Sequence, residues 1–155
     1  MKNDKTDNHE QLFWEEIDRL FPDMIKAIAS LSKKSYLSIT NLRTGITWWS
    51  ERAMDYFGMK ENYTIRGMEK ANRKIHPDDV ATFKRGFKER VDGKNLDTAW
   101  EYRIQDGDSY NRFNAMARVL YDEQKQPFII IIRYDNYGIS DEVDSVTGLT
   151  LRNRH

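Results

Sequence analysis

The segment PFIIIIRYD, which begins at Pro127, sets a strict condition on the fold of this 155-residue chain. Its apolar run from Phe128 to Ile132 is far shorter than the roughly 20 residues of a membrane-spanning helix. The run predicts instead a β-strand with apolar side chains on both faces, and such a strand must be covered on both sides. Short helices elsewhere in the chain can cover one face, and a second element must cover the other.

A long amphipathic segment near the N-terminus is the candidate for that second cover. Residues 10–34 carry apolar residues at helical spacings, which predicts an amphipathic helix after a disordered segment, residues 1–9. Pro22 predicts a kink, or a new helix that opens at Pro22 and Asp23, because proline removes a backbone donor. The helix either packs on its own domain or is shared across a dimer. Four residues form the predicted seam: Phe13, Ile17, Leu20 and Met24.

The hydrophobic pattern changes from a helical period to strict alternation after Lys34. The segments YLSIT and ITWWS alternate and are joined by NLRTG, which predicts a β-hairpin. Ser50 is expected to cap a short helix that ends at Gly58. His76 and Pro77 are expected to open a longer helix, because they suit the N-cap and N1 positions. The spacing of three apolar residues predicts another short helical stretch between these helices: Ile65, Met68 and Ile75.

Three strands follow, in the segments TAWEYRIQ, YNRFNAMARVLYD and PFIIIIRYD. Alternation in the first segment predicts that Trp100, Tyr102 and Ile104 share one face of a sheet. The chain therefore reads, in order, as a helix, two strands, several helices and three strands, which is an α+β arrangement. In the second segment the residues predicted to share one face are Phe113, Ala115, Ala117 and Val119.

Composition excludes several classes of function. Lys and Arg together number 25 and so do Asp and Glu, so no net charge attracts nucleic acid or an anionic membrane. The chain has no Cys, which rules out a disulfide framework, a thiolate zinc site and a cysteine nucleophile. His9, His76 and His155 lie far apart, so the sequence predicts no catalytic residues and no metal site. The polar N-terminus lacks a signal region, which predicts a cytoplasmic domain.

The order of these elements, with IHPDD opening the long helix and PFIIIIRYDN as the last strand, resembles the PAS domain family over residues 35–137. The resemblance implies a five-stranded antiparallel sheet in the order 2-1-5-4-3. Helices on one face would enclose a small-molecule pocket, and the N-terminal amphipathic helix would lie on the other face and build a homodimer. The role expected of His76 is capping, which leaves no axial ligand for haem. The absence of Cys excludes a flavin–cysteine adduct.

Strand residues would line the small-molecule pocket of such a fold. The candidates are Tyr102, Asn114, Met116 and Arg118. An inward Arg118 would suit a carboxylate ligand, because guanidinium binds carboxylate in a bidentate fork. A slip of one residue in strand register would turn these side chains to the opposite face. The core can also be filled, in which case the domain serves only for dimerisation.

The segment at residues 144–149, DSVTGL, followed by Asn153 and Arg154, resembles the start of a GGDEF domain, the diguanylate cyclase fold. In that family the segment reads approximately D-x-L-T-G-L-x-N-R, whereas Val146 here replaces the usual Leu and two extra residues precede Asn153. The resemblance implies that residues 138–155 form a linker and the truncated start of the cyclase domain. It assigns output coupling to four residues: Asp144, Thr147, Gly148 and Leu149.

The sequence thus predicts a PAS sensor and dimerisation module that regulates a downstream GGDEF domain through a small-molecule ligand. On this interpretation the piece itself is no enzyme, and its parent protein is a diguanylate cyclase. Alternatives are a ligand-free dimerisation scaffold and a sensor with another output, such as a histidine kinase. A small stand-alone enzyme would need an acid–base pair in a cleft, and the sequence offers only unpaired carboxylates among many solvated ones.

Overall fold

The structure is a computed structural model that describes residues 4–32 and 34–140. The chain forms two compact units, which divide between Lys33 and Lys34. Each unit is described separately below. Within the described residues, every helix is too short or too polar to cross a membrane.

The N-terminal unit contains two helices, α1 (Asp4–Trp14) and α2 (Phe21–Ser30), with one turn of 3-10 helix at Asp18–Leu20 between them. Pro22 lies in the first turn of α2, where its missing N–H costs no helical hydrogen bond. The prediction of a new helix at Pro22 is therefore confirmed. α1 begins within residues 1–9, for which the sequence predicts disorder, and the amphipathic segment predicted over residues 10–34 is divided among these elements.

The residues of the predicted seam lie on different elements of this unit. Phe13 belongs to α1, Leu20 to the 3-10 turn and Met24 to α2, while Ile17 lies in the connection. Phe13 and Leu20 are exposed. Because the helical axis is interrupted, these side chains do not form one continuous stripe on a single helix. Their role in a dimer contact stays a prediction.

The second unit is built on a six-stranded antiparallel sheet. The strands are β1 (Ser35–Asn41), β2 (Ile46–Trp49), β3 (Tyr63–Ile65), β4 (Trp100–Asp106), β5 (Ser109–Tyr121) and β6 (Pro127–Ile139). Their spatial order is β3-β2-β1-β6-β5-β4. The five strands other than the edge strand β3 follow the predicted order 2-1-5-4-3, so the predicted fold is confirmed. β3 covers Ile65, which the sequence assigns to a helical stretch, and this is the one additional strand.

Three short helices connect the two halves of the sheet: α3 (Glu51–Phe57), α4 (Gly67–Asn72) and α5 (Val80–Val91), the last preceded by a 3-10 turn at Pro77–Asp79. The Ser50 side chain accepts a hydrogen bond from the Ala53 N–H, and Gly58 ends α3 with φ of 72°. His76 Nδ1 accepts from the Asp78 N–H at 3.0 Å. These two hydrogen bonds and the left-handed conformation of Gly58 confirm the predicted caps, because each residue type suits its end of a helix.

The two faces of the sheet differ in what they contact. The inner face packs on the helices and carries the buried residues of β4, β5 and β6, as the alternation predicts. Ile130 and Ile132 of β6 are fully buried on this face, whereas Ile129 and Ile131 point to the other face and are half-buried. The core of this unit therefore lies between one sheet face and α3, α4 and α5.

Candidate functional site in the domain interior

The interior between the inner sheet face and the helices is the candidate site. Small side chains occupy the middle of the inner face, and aromatic rings surround them. The small residues are Ser38, Thr40, Thr47, Ala115 and Ala117, all buried. The aromatic rings belong to Trp49, Phe57, Phe83, Trp100, Tyr102, Phe113 and Tyr134. Such a mixture of apolar wall and a few polar groups is typical of small-molecule sites.

Tyr134 reaches across the inner face from β6. Its hydroxyl shares a hydrogen bond with the Ser38 hydroxyl at 3.1 Å and lies 3.8 Å from the Met68 sulfur. Burial raises the pKa of Tyr134 well above its usual value, although the hydrogen bond from Ser38 opposes the shift. The phenol is therefore neutral at physiological pH and has its hydrogen bond satisfied within the protein.

Tyr102 lies on the same face, on β4, with its ring edge-on to Phe83 at 5.0 Å. It is 2% exposed, and its hydroxyl has no hydrogen-bond partner within the described part of the chain. Burial raises the pKa of Tyr102 well above its usual value, so this phenol is also neutral. Of the four candidates for the pocket, Tyr102 alone lies on the inner face.

The other three candidates lie on the opposite face, which corrects the predicted pocket. Tyr102 is paired with Phe113, so alternation turns Phe113, Ala115 and Ala117 inward. The residues between them face outward: Asn114, Met116 and Arg118. The predicted set combines Tyr102 of one sheet face with three β5 residues of the other face. The pairing between β4 and β5 fixes these faces, and it cannot be read from one strand alone.

Arg118 is 55% exposed, donates to the Leu96 carbonyl at 2.7 Å and forms an ion pair with Asp97 at 3.1 Å. With Met116, Ala117, Ile131 and Arg133 it lines a shallow groove of about 260 Å³. The prediction of an inward Arg118 is wrong, since its guanidinium is bound to a surface loop.

A different arginine is the buried one. Arg90 of α5 is 2% exposed, and its guanidinium lies over the Trp100 ring, 4.2 Å from the centroid. It donates to the carbonyls of Gly86 at 3.3 Å and Thr98, and it pairs with Glu89 at 3.3 Å. Desolvation lowers the pKa of Arg90 from its usual value. The sequence signal that could have identified Arg90 is its position seven residues after Phe83, on the apolar face of α5.

A second polar network closes the interior at one end of the sheet. Asn111 donates to the Tyr56 hydroxyl and to Asp106, both at 3.0 Å. The Tyr56 ring stacks on Tyr36 at 5.4 Å. Asn136 donates to the Tyr36 hydroxyl at 3.4 Å. This network connects α3 with β1, with the β4–β5 hairpin and with β6, close to the point where β6 ends.

His76 has a structural role, as its sequence context predicts. Besides capping the 3-10 turn, its ring packs on Tyr110 at 4.6 Å. Asp79, three residues later, holds Arg103 of β4 through a bidentate pair with distances of 2.7 and 2.8 Å. Across the described ranges, His, Asp and Glu form no group of three that could hold a metal ion. The predicted output residues Asp144, Thr147, Gly148 and Leu149 lie outside the described residues.

The family model described as PAS fold matches residues 46–132, which is more than half of the chain. The chain therefore belongs to the PAS fold family and contains a PAS sensor domain. A comparison with curated proteins gave no match.

Solved structures agree with this fold. The chain is similar to a sensory box histidine kinase/response regulator from Burkholderia thailandensis, with 16% identity over 85% of this chain and 94% of that one, and a TM-score of 0.54. It is similar to the N-terminal domain of a diguanylate cyclase with PAS/PAC sensor from Marinobacter aquaeolei, with 15% identity over 68% and 96% of the two chains and a TM-score of 0.56. A PAS domain from Colwellia psychrerythraea gives 15% identity, coverage of 77% and 98%, and a TM-score of 0.52. At such identities the likeness establishes the fold.

Proposed function

We propose that this domain binds a small molecule in its interior and thereby regulates a diguanylate cyclase domain that follows residue 155. The observation that supports ligand binding is a set of buried polar atoms without a hydrogen-bond partner among the described residues. They are Trp49 Nε1, Arg90 Nε, Trp100 Nε1 and Tyr102 Oη. Each such atom costs about 1–3 kcal/mol when it is left unpaired in a protein interior. A bound molecule that accepts hydrogen bonds accounts for the three atoms that lie on neighbouring side chains, those of Arg90, Trp100 and Tyr102.

The assignment of the output domain rests on the tail sequence. Residues 144–149 resemble the start of a GGDEF domain, and one structural neighbour is named as the N-terminal domain of a diguanylate cyclase. Another neighbour is named as a histidine kinase/response regulator, so a kinase output is the second candidate. The sequence that follows His155 in the parent gene distinguishes them: a GGDEF signature supports the cyclase, and a histidine kinase motif contradicts it.

The route from the interior to the tail runs through the end of the sheet. Tyr56 contacts both the interior ring of Phe113 and Tyr36, and Asn136 of β6 donates to Tyr36. β6 ends at Ile139, so a shift of Tyr56 is passed to the strand that leads into the tail. Insertion of a flexible Gly-Ser segment after Ser140 should then uncouple ligand binding from cyclase activity. Unchanged coupling in the parent protein would contradict this route.

A homodimer is the assembly that suits the N-terminal unit. Its apolar side chains include Phe13 and Leu20, which are 60% and 47% exposed. Ile17 and Met24 complete the proposed contact with a second copy. A polar replacement of Phe13 and Leu20 should yield monomers, whereas the same replacement of Glu10 and Lys26 should not.

Native mass spectrometry of the chain tests the ligand and the assembly in one measurement. A dimer with an added small mass supports both proposals and identifies the ligand. A dimer that gains no mass, even after incubation with cell extract metabolites, contradicts the ligand and favours a dimerisation scaffold. A monomer with an added mass keeps the sensor and contradicts the dimer.

A further inference from the structure

Three of the unpartnered polar atoms belong to one cluster between α5 and β4. Arg90 lies over the ring of Trp100 at 4.2 Å. Trp100 and Tyr102 are neighbours on the inner face of β4, with ring centroids 5.9 Å apart. Phe83 of α5 packs on both rings, at 6.1 Å and 5.0 Å. The cluster therefore gathers Arg90 Nε, Trp100 Nε1 and Tyr102 Oη on side chains that touch one another.

The hydrogen-bonding character of this cluster is one-sided. The Arg90 Nε–H and the Trp100 indole N–H can only donate, and the Tyr102 hydroxyl can donate as well. The two other guanidinium nitrogens of Arg90 are engaged by Gly86, Thr98 and Glu89. The unpaired donors lie on Arg90, which is 2% exposed, on the indole over which it packs and on the neighbouring Tyr102. The complementary ligand is an acceptor with negative charge.

We propose that the cluster of Arg90, Trp100 and Tyr102 binds the carboxylate group of a small organic acid. This inference rests on the proposed function, since it assigns a chemical class to the molecule taken up by the interior. An ionised carboxylate offers two oxygens with about four acceptor positions and no donor, which matches three donors. The guanidinium adds a charge-assisted bond, which is roughly twice as strong as a neutral one.

Two other occupants match the cluster less well. A water molecule accepts about two hydrogen bonds and needs acceptors for its own two hydrogens, whereas among the three unpaired groups the Tyr102 hydroxyl alone can accept. A neutral amide offers one carbonyl oxygen and brings an NH₂ group that also needs acceptors. Formate and formamide are nearly equal in size, but formate is charged and has acceptors alone, whereas formamide is neutral and also has donors. A difference in their affinity therefore reports charge and hydrogen-bonding character and not size.

The test is a titration of the 155-residue chain with sodium formate, at constant ionic strength held with sodium chloride. The readout is the indole N–H resonance of Trp100 in a nitrogen–proton correlation spectrum, assigned with the variant Trp100→Phe. We expect a saturable shift of this resonance with formate and a Kd at least tenfold higher for formamide. No saturable shift, or equal affinity for formamide, would overturn the proposal.

Two conservative variants provide the matched comparison. Tyr102→Phe removes one unpaired hydroxyl and should raise the Kd for formate at least fivefold. Tyr134→Phe removes a hydroxyl that is equally buried but paired with Ser38, and it should leave the Kd within twofold. Equal weakening by both variants would overturn the assignment to the α5–β4 cluster.

The outcome separates this inference from the proposed function. If native mass spectra reveal a bound neutral molecule and formate has no effect, the sensor stands and the carboxylate class fails. If formate binds as described but leaves the cyclase activity of the parent protein unchanged, the site stands and the regulatory function fails.

Discussion

Tyr102 and Tyr134 are equally buried on the inner face of the sheet, at 2% exposure, yet only the Tyr134 hydroxyl is paired within the protein. Tyr134→Phe should lower the free energy of unfolding by about 1 kcal/mol, because the Ser38 hydroxyl loses its hydrogen-bond partner. The same change at Tyr102 should leave it unchanged or raise it in ligand-free protein, since an unpaired buried group is removed. Urea denaturation measures both values, and a larger loss for Tyr102→Phe would contradict the assignment of its hydroxyl as unpaired.

Gly86 is required by the close approach of α5 to β4. A Cβ built at this position would lie 2.6 Å from Trp100 Cδ1. Gly86→Ala should therefore lower the free energy of unfolding by about 1–3 kcal/mol, the range for overpacking, although alanine favours a helix. Lys84→Ala, at an exposed position of the same helix, should stay within about 0.5 kcal/mol of the wild type. Thermal unfolding followed by circular dichroism distinguishes the two variants, and a stabilised Gly86→Ala would contradict the packing.

The pair of Asp79 and Arg103 predicts a pH dependence. Hydrogen bonding and charge from Arg103 hold the pKa of Asp79 below its usual value of 3.8. A carboxylate with a depressed pKa in the folded state contributes stability above its unfolded pKa, and this contribution is lost as the pH falls through the folded pKa. Asp79→Asn should thus cost about 2 kcal/mol at pH 7, and the difference from the wild type should shrink below pH 3.8.

The neighbouring carboxylate is the control for that experiment. Asp78 is exposed, and its replacement by Asn should cost less than about 1 kcal/mol, the size of a helix-dipole effect. Denaturation curves at a series of pH values measure both variants. A difference for Asp79→Asn that stays constant down to pH 2 would contradict the depressed pKa.

Ser50 joins two elements through one hydroxyl. Its Oγ accepts from the N–H of Ala53 at 3.3 Å, which caps α3, and from the N–H of Leu37 on β1 at 3.2 Å. Ser50→Ala should lower the free energy of unfolding by about 1–2 kcal/mol, because the buried Ala53 N–H and the half-buried Leu37 N–H both lose their acceptor. Thr44→Ala, which removes a similar contact to Ile46 in an exposed turn, should change it by less than about 0.5 kcal/mol. Equal losses in chemical denaturation would argue against a buried cap.

The sequence allows the helix caps to be predicted because they depend on local signals, whereas the strand order is what the resemblance to the PAS family implies. Ser50, Gly58 and His76 each carry a residue type whose chemistry suits one end of a helix. The sequence does not predict β3, because a strand of three residues is too short to reveal an alternation of apolar and polar side chains. Its last residue, Ile65, has a spacing to Met68 and Ile75 that also suits a helix.

The site was harder to predict, because it depends on which strand face meets the helices. The inward position of Tyr102 can be predicted, because Trp100, Tyr102 and Ile104 alternate with polar residues and so form one apolar face of β4. On β5 the inward positions include the small residues Ala115 and Ala117, and their size and polarity do not mark them as pocket residues, whereas the outward Met116 and Arg118 have the side chains typical of a ligand site. The sequence does not predict the burial of Arg90, because a charged residue on an amphipathic helix is usually solvated and this burial depends on the tertiary contact with Trp100.

The first and last strands of the sheet domain are neighbours, and the start of β1 lies beside Asp135, four residues before the end of β6. Ser35 donates to Asp135, and the Asn136 N–H donates to the Lys34 carbonyl at 3.3 Å. The chain thus enters the domain beside Asp135 and leaves it four residues further along β6, after Ile139. Because its first and last strands are adjacent, this domain can be exchanged for another of the same topology with little change in the separation of the segments that flank it.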